Sequence, residues 1–221
     1  MLNPITRLKK QFLDSIPKED KHETKKQTLE RVGGYLKELE LSPDVLEAFP
    51  FQLSGGMRQR VIIALATFMG PDVVLADEPT TALDVVVQRG ILMLLTSLQR
   101  QHQNTLVLVS HDMGVHYQIT NRLGIMYSGS FVEMGNTEDL FNDPIHPYTK
   151  MLINALPKVG DRSQKVGIPG RPPALTDPPP GCRFAPRCGM AVPECAKAAP
   201  AFQEVKPGRF AACHLLAKEG K

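Results

Sequence analysis

Apolar positions along the chain change their period several times, and each change marks a predicted element. Between Lys18 and Leu41, residues Leu29, Val32, Leu36 and Leu39 are spaced by three and four, one face of an amphipathic helix. Gly33-Gly34 lies inside that run and weakens it. Ser42-Pro43-Asp44 reads as a short helix start, with serine as cap and proline at the first helical position, and Pro50 ends it. Arg58 to Phe68 predicts another helix, stopped by Gly70-Pro71. Val73 to Ala76 is an unbroken apolar run, the pattern of a strand buried in a parallel sheet. A long helix over Val85 to Gln101, a strand over Thr105 to Val109 and a helix over Met113 to Thr120 follow. Leu123 to Tyr127 and Ser130 to Met134 read as two strands around a Ser128-Gly129 turn, whereas Met1 to Ile16 has no clear period. Strands and helices alternating through long crossovers predict an α/β fold, a parallel sheet packed by helices.

Near Asp143 the composition shifts, and 13 of the 19 prolines lie from Pro144 onward. His146-Pro147-Tyr148-Thr149 leads into a helix to Leu156, and Gly170-Arg171-Pro172-Pro173 and Pro178-Pro179-Pro180-Gly181 then predict an extended tail. Such a tail builds little core of its own and is expected to need a staple. The domains expected are therefore 1–143 and 144–221, with no internal repeat.

The net charge of +3 hides an asymmetry: residues 32–149 carry 6 basic and 13 acidic groups, residues 150–221 carry 12 and 5. A basic tail suits anionic headgroups or an anionic partner, and equally an ordinary solvated surface. The longest apolar runs, Val61 to Met69 and Ile91 to Leu95, are too short to cross a bilayer. No apolar core of a signal peptide opens the chain, so a cytosolic protein is expected, reaching a membrane only through a partner. Cys182, Cys188, Cys195 and Cys213 crowd into the last 40 residues, which in such a protein points to metal rather than disulfides. Zinc and an iron–sulfur cluster both suit four thiolates, with His214 as an alternative nitrogen ligand. Four unligated thiols are the remaining reading.

The densest chemistry lies between Leu53 and Asp84. Ser54-Gly55-Gly56 ahead of a helix is an anion-holding turn, where unpaired N–H groups and the positive dipole end face whatever is bound. Val73 to Ala76 delivers Asp77-Glu78 at a strand's carboxyl end, where open α/β sheets place ligands. An Asp there suits Mg²⁺, and the adjoining Glu can polarise a water for attack on a phosphate.

These two halves, followed by Ala82-Leu83-Asp84 and by Ser110-His111-Asp112, resemble the ATP-binding subunit of ABC transporters. The order is the family's: signature motif, Walker B strand, D-loop and switch histidine. The resemblance implies the rear part of a P-loop NTPase-like ABC ATPase domain, about 1–57 forming the helical subdomain and 58–143 the sheet core. It implies that Glu78 and His111 are catalytic and that Ser54, Gly55, Gly56, Asp77 and Asp84 serve nucleotide binding, Asp77 through Mg²⁺. It further implies a head-to-tail dimer, in which the Ser54 turn meets ATP held by a second ATPase subunit.

His146, Pro169-Gly170, Pro179 to Phe184, Pro186-Arg187-Cys188 and Ala212-Cys213-His214 resemble the C-terminal extension of oligopeptide and dipeptide importer ATPases, a subfamily that also includes nickel importers. That resemblance implies a Pro/Cys-rich extension whose Cys182, Cys188, Cys195 and Cys213 hold a [4Fe-4S] cluster, with zinc as the alternative. Two permease subunits and, through them, an extracytoplasmic solute-binding protein are the implied partners. The implied location is the cytoplasmic face of the cell membrane, with no role for nucleic acid. The sequence departs from the family in holding no glycine-rich loop with Gly-Lys-Ser/Thr; its one Gly-Lys is Gly220-Lys221. Met1-Leu2-Asn3-Pro4 resembles the residues just past the glutamine loop, so the chain is expected to lack the front of the core and to bind ATP poorly alone. An open edge and exposed apolar surface beside the Val73 strand follow from the same departure. The alternative function is an inert module that binds only a partner or a metal.

Overall fold

A computed structural model describes residues 2–17, 23–157 and 167–216. The chain forms two compact units, Met1–Val115 and His116–Lys221.

The first unit is built on helices α1 (Leu8–Ser15), α2 (Lys25–Glu38), α3 (Gly55–Thr67) and α4 (Val85–His102) and strands β1 (Val73–Asp77) and β2 (Thr105–Val109). Helix α2 starts at Thr24, whose hydroxyl accepts from the Gln27 N–H while the Gln27 side chain returns to the Thr24 N–H, a capping box. Val32, Leu36 and Leu39 are fully buried and Leu29 is partly so, as their spacing predicts. Of the expected start of this helix, residues 18–22 lie outside the described residues. Gly33-Gly34 do not break it, and Gly33 is buried beside the Pro43 ring. The Ser42 hydroxyl caps a 3-10 turn over Pro43–Glu47, and a second such turn spans Pro50–Gln52. Leu8 and Phe12, one turn apart on α1, are fully buried in the same core as Leu36, Val61 and Ile91. Burying each such side chain contributes about 1.5–3 kcal/mol.

Strands β1 and β2 pair in parallel, Val73 opposite Thr105 through Asp77 opposite Val109. Side chains alternate across this pair. Val74 is buried and Leu106 packs on the helical core, whereas the other face exposes Val73 (53%), Leu75 (77%), Val107 (44%) and Val109 (56%). Parallel sheets are ordinarily covered on both faces; here one is bare, and the expected apolar surface is present.

In the second unit β3 (Arg122–Tyr127) and β4 (Ser130–Asn136) form a hairpin. Its turn residues, Ser128 (φ 45°) and Gly129 (φ 79°), both adopt the left-handed conformation that two-residue hairpins need. Helix α5 (Met113–Ile119) precedes it; α6 (Thr137–Asn142) and α7 (Pro147–Asn154) follow, then α8 (Pro193–Lys197) and a hairpin of β5 (Gln203–Lys206) and β6 (Arg209–Ala211). Strand β6 pairs with β4, giving an antiparallel sheet in the order β3-β4-β6-β5. The tail thus adds two strands to the hairpin instead of remaining a loop.

Two devices fasten it there. Glu133 on β4 and Arg209 on β6, 0% and 5% exposed, form a buried ion pair at 2.9 Å. Glu133 also accepts the N–H groups of Ile145 and His146. Phe184, buried, packs against Tyr127, Tyr148 and His146. Burial lowers the His146 pKa to about 4, which keeps the imidazole neutral and its Nδ1 free to accept the Tyr148 N–H at the start of α7. Arg187 holds the proline-rich segment, donating to the carbonyls of Pro169 (2.7 Å) and Ile168 (2.8 Å).

The cysteine loop closes through its backbone: the Cys182 N–H donates to the Cys195 carbonyl at 2.7 Å. A methyl group at Gly181 would run into that same carbonyl. Gly181→Ala is therefore expected to lower stability by about 1–3 kcal/mol, measured as a fall in denaturant midpoint and faster tryptic cleavage after Arg183 and Arg187.

Candidate functional site

The carboxyl ends of β1 and β2 bring the acidic pair and the histidine together. Asp77 ends β1 with an exposed carboxylate. The Glu78 N–H donates to the Val109 carbonyl (2.9 Å), extending the ladder one residue past the strand. Glu78 itself turns through the left-handed region (φ 46°), backbone that non-glycine residues rarely adopt and that concentrates at functional sites. Its Oε1 accepts the His111 N–H at 3.0 Å and lies 2.8 Å from His111 Nδ1. Its Oε2 accepts the Thr81 hydroxyl at 2.9 Å. The His111 contact, with help from Thr81, holds the Glu78 carboxyl below its ordinary pKa, and the same contact raises that of the His111 imidazole. Glu78 is therefore ionised at neutral pH.

Behind His111 the loop is stiffened by Asp112. Its carboxylate accepts the N–H groups of Gly114 (2.8 Å) and Val115 (3.3 Å) and a bond from Gln88 of α4 (3.3 Å). Asp84 caps α4, Oδ1 accepting from the N–H groups of Val86 and Val87. Next to it Ala82 is left-handed (φ 62°), and Val85 and Val86 are exposed.

Ser54 caps α3, its hydroxyl accepting the Met57 N–H at 3.3 Å. Neither Gly55 nor Gly56 has a positive φ, so conformational freedom is not why they are glycines. Close approach is the reason at Gly56, where a Cβ would lie 2.9 Å from Val87 Cγ1, so α3 and α4 meet there without a side chain between them. Arg58 turns back to the Leu53 carbonyl, and Arg60 to the Leu39 carbonyl and Glu40, so both support the helical unit. Among the described residues no hydrogen bond or ion pair joins the Ser54 turn to the Glu78–His111 pair. Within one chain these are separate clusters.

The metal expected on Cys182, Cys188, Cys195 and Cys213 finds no support in the donor geometry. Among the described residues no three His, Cys, Asp or Glu side chains gather closely enough to hold an ion. All four thiols are free. Burial pushes the Cys182 and Cys213 thiols up, and the neighbouring thiols add to the shift. A [4Fe-4S] cluster or zinc is thus not supported among the described residues, and the contacts that fasten this tail are the Glu133–Arg209 pair and the Phe184 cluster.

Comparison with known proteins places these features. The family described as "ABC transporter" matches residues 2–81, and that described as "Oligopeptide/dipeptide transporter, C-terminal region" matches residues 132–195. The dipeptide transport ATP-binding protein DppD of Caldanaerobacter subterraneus subsp. tengcongensis is 40% identical over 222 residues, covering 100% of this chain and 68% of the relative. The chain belongs to the ATP-binding subunits of oligopeptide/dipeptide ABC importers. The oligopeptide transport ATP-binding protein AppD of Bacillus subtilis (strain 168) is similar at 37% identity, covering 99% of this chain and 67% of AppD. Among solved structures, the dimeric ABC transporter cassette MJ0796 is 31% identical with a TM-score of 0.54, over 62% of this chain and 59% of the cassette. This member of the importer ATPase family thus spans about two thirds of the length of these curated relatives. Its α/β unit is the ABC cassette type, and no described helix is long and apolar enough to cross a membrane.

Thr81, Gln88 and the Glu133–Arg209 pair are the residues that sequence reasoning missed. Thr81 lies between Asp77-Glu78 and Ala82-Leu83-Asp84, three residues past Glu78, at turn spacing. No local signal marks the other contacts, which join residues far apart in the chain.

Proposed function

We propose that this chain couples ATP hydrolysis to the import of di- or oligopeptides, working as one ATPase subunit of an ABC transporter. The observation that carries the reading is the ionised Glu78 bonded to His111 at the carboxyl end of β1, in a chain of this family. Glu78 takes a proton from the attacking water, and His111 orients the terminal-phosphate end. Asp77, an exposed carboxylate beside them, suits Mg²⁺ bound through water, and ATP with Mg²⁺ supplies the phosphoryl chemistry. The 221 residues contain no Gly-Lys-Ser/Thr loop, so phosphates at Glu78 need that loop from outside this sequence. The Ser54 turn serves a different nucleotide, one held by a second ATPase subunit. There the start of α3 presents Ser54 and the N–H groups of Gly55 and Gly56, while Asp84 shapes the neighbouring loop.

Residues 1–57 would form the helical subdomain and 58–143 the sheet core. Residues 144–221 would form the importer-type extension, docked through β5 and β6. Two permeases, fed by a solute-binding protein, would hold the assembly at the cytoplasmic face of the membrane.

A second reading has its own support. The bare β1–β2 face suits a module that only binds a partner. ATP hydrolysis by the purified chain, alone and with a full-length ATPase subunit of its transporter, separates the two. The proposal expects none from the chain alone and a rate above the partner's own when mixed. A mixture no faster than the partner by itself favours the inert module.

A further inference from the structure

Glu78 is gripped from two sides, and one of them has no assigned role. On the β2 side His111 contributes its backbone N–H and Nδ1, both to Oε1. On the other side the Thr81 hydroxyl donates to Oε2 at 2.9 Å, and the Thr81 N–H donates to the Glu78 carbonyl at 3.2 Å. The second of these closes the turn that carries Glu78 at φ 46° and lets a side chain three residues on reach back to the carboxylate.

A terminal carboxylate rotates easily, because the last torsion of a Glu side chain is broad and two-fold. Held only at Oε1, the group would pivot about that one point. A second donor on Oε2 fixes its plane. We propose that Thr81 is a positioning residue for Glu78, setting the carboxylate plane so that Oε1 faces His111. This rests on the reading of Glu78 as the group that acts on the attacking water, and it adds what aims it. Orientation of this kind governs whether a general base meets its proton at hydrogen-bond distance. Thr81 is exposed on the loop between β1 and α4, so its side chain contributes little to the core.

The isolated chain supports the test without any hydrolysis. The His111 amide is protected by Glu78 Oε1 only while the carboxylate stays aimed at it. Thr81→Val keeps the branched shape and removes the hydroxyl; Thr81→Ser keeps the hydroxyl. Amide exchange followed by NMR is expected to be about tenfold faster at His111 in Thr81→Val, the scale of one hydrogen bond to a charged group. Thr81→Ser should restore the wild-type rate, and the amides of α4 should stay unchanged in both. Wild-type exchange at His111 in Thr81→Val overturns the proposal, as does faster exchange that Thr81→Ser fails to restore. A mixture with the partner subunit that hydrolyses no extra ATP would count against the functional reading alone, and the His111 exchange rate still decides the role of Thr81.

Discussion

Ser54→Arg is expected to remove the rate this chain adds to a full-length ATPase partner, by about 100-fold at the site the two share. The size follows from what the start of α3 offers. In a 13-residue helix the first N–H groups have no partner further back, and the helix dipole adds about half a positive charge. Donors already aimed at developing charge are worth about 100–1,000-fold when one is lost. An arginine at this position loses the hydroxyl cap on Met57 and puts a long side chain where a phosphate would sit. Losing the cap costs about 1 kcal/mol, too little to unfold a helix whose Val61, Ile63 and Ala64 are buried. Circular dichroism should therefore match the wild type while the added hydrolysis disappears. Retention of more than half the added rate would mean that the turn does not touch the partner's nucleotide.

The second large effect concerns the tail. Glu133→Ala leaves the Arg209 guanidinium in a site 5% exposed, without the carboxylate it meets at 2.9 Å. Asp143 accepts from the same guanidinium, through its side chain at 3.3 Å and its backbone carbonyl, but its carboxylate lies near solvent. Removing one partner of a buried pair costs about 3–5 kcal/mol, because the other charge stays desolvated. The N–H groups of Ile145 and His146 lose their acceptor as well. The expected result is release of β5 and β6 from β4, read as rapid proteolysis near Arg209 and loss of amide protection at Ala212, whose N–H bonds to the Val132 carbonyl. Converting both members, Glu133→Leu with Arg209→Met, should recover the part of the loss due to the stranded charge, while the Ile145 and His146 N–H groups still lack their acceptor. If Glu133→Ala melts like the wild type, the pair is not what fastens the tail.

Elements with long periodic patterns were legible from the residues. Helices α2, α3 and α4 and strands β1 to β4 lie where apolar spacing, Ser42, Gly70-Pro71 and the Ser128-Gly129 turn predict them, with ends shifted by a few residues. Short elements were not. Helix α1 has two buried contacts, Leu8 and Phe12, too few to establish a period. The β5–β6 hairpin carried a signal, Pro207-Gly208 between Gln203–Lys206 and Arg209–Ala211, but the proline content around it reads as loop. What makes β6 a strand is its pairing with β4 and the Arg209–Glu133 contact across 76 positions, which no local window contains. The clustering of the cysteines in sequence suggested a metal staple, while the fold holds the tail by an ion pair and an aromatic cluster.

At the site, residue identity was more legible than residue role. The pairing of Glu78 with His111 follows from two parallel strands ending side by side. That Gly56 is a packing glycine against Val87 depends on how α3 crosses α4, which spacing along one helix does not encode. The bare face of Val73, Leu75, Val107 and Val109 was foreseeable, since an unbroken apolar strand implies a cover on both sides.

The central claim is that the Ser54 turn of this chain and the phosphates held by a second ATPase subunit form one site. The most direct measurement is the structure of the two proteins trapped together with ATP and Mg²⁺. The account predicts Ser54 Oγ or the Gly56 N–H about 3 Å from an oxygen of the terminal phosphate. A complex in which Ser54 faces open solvent, far from the nucleotide, would contradict it.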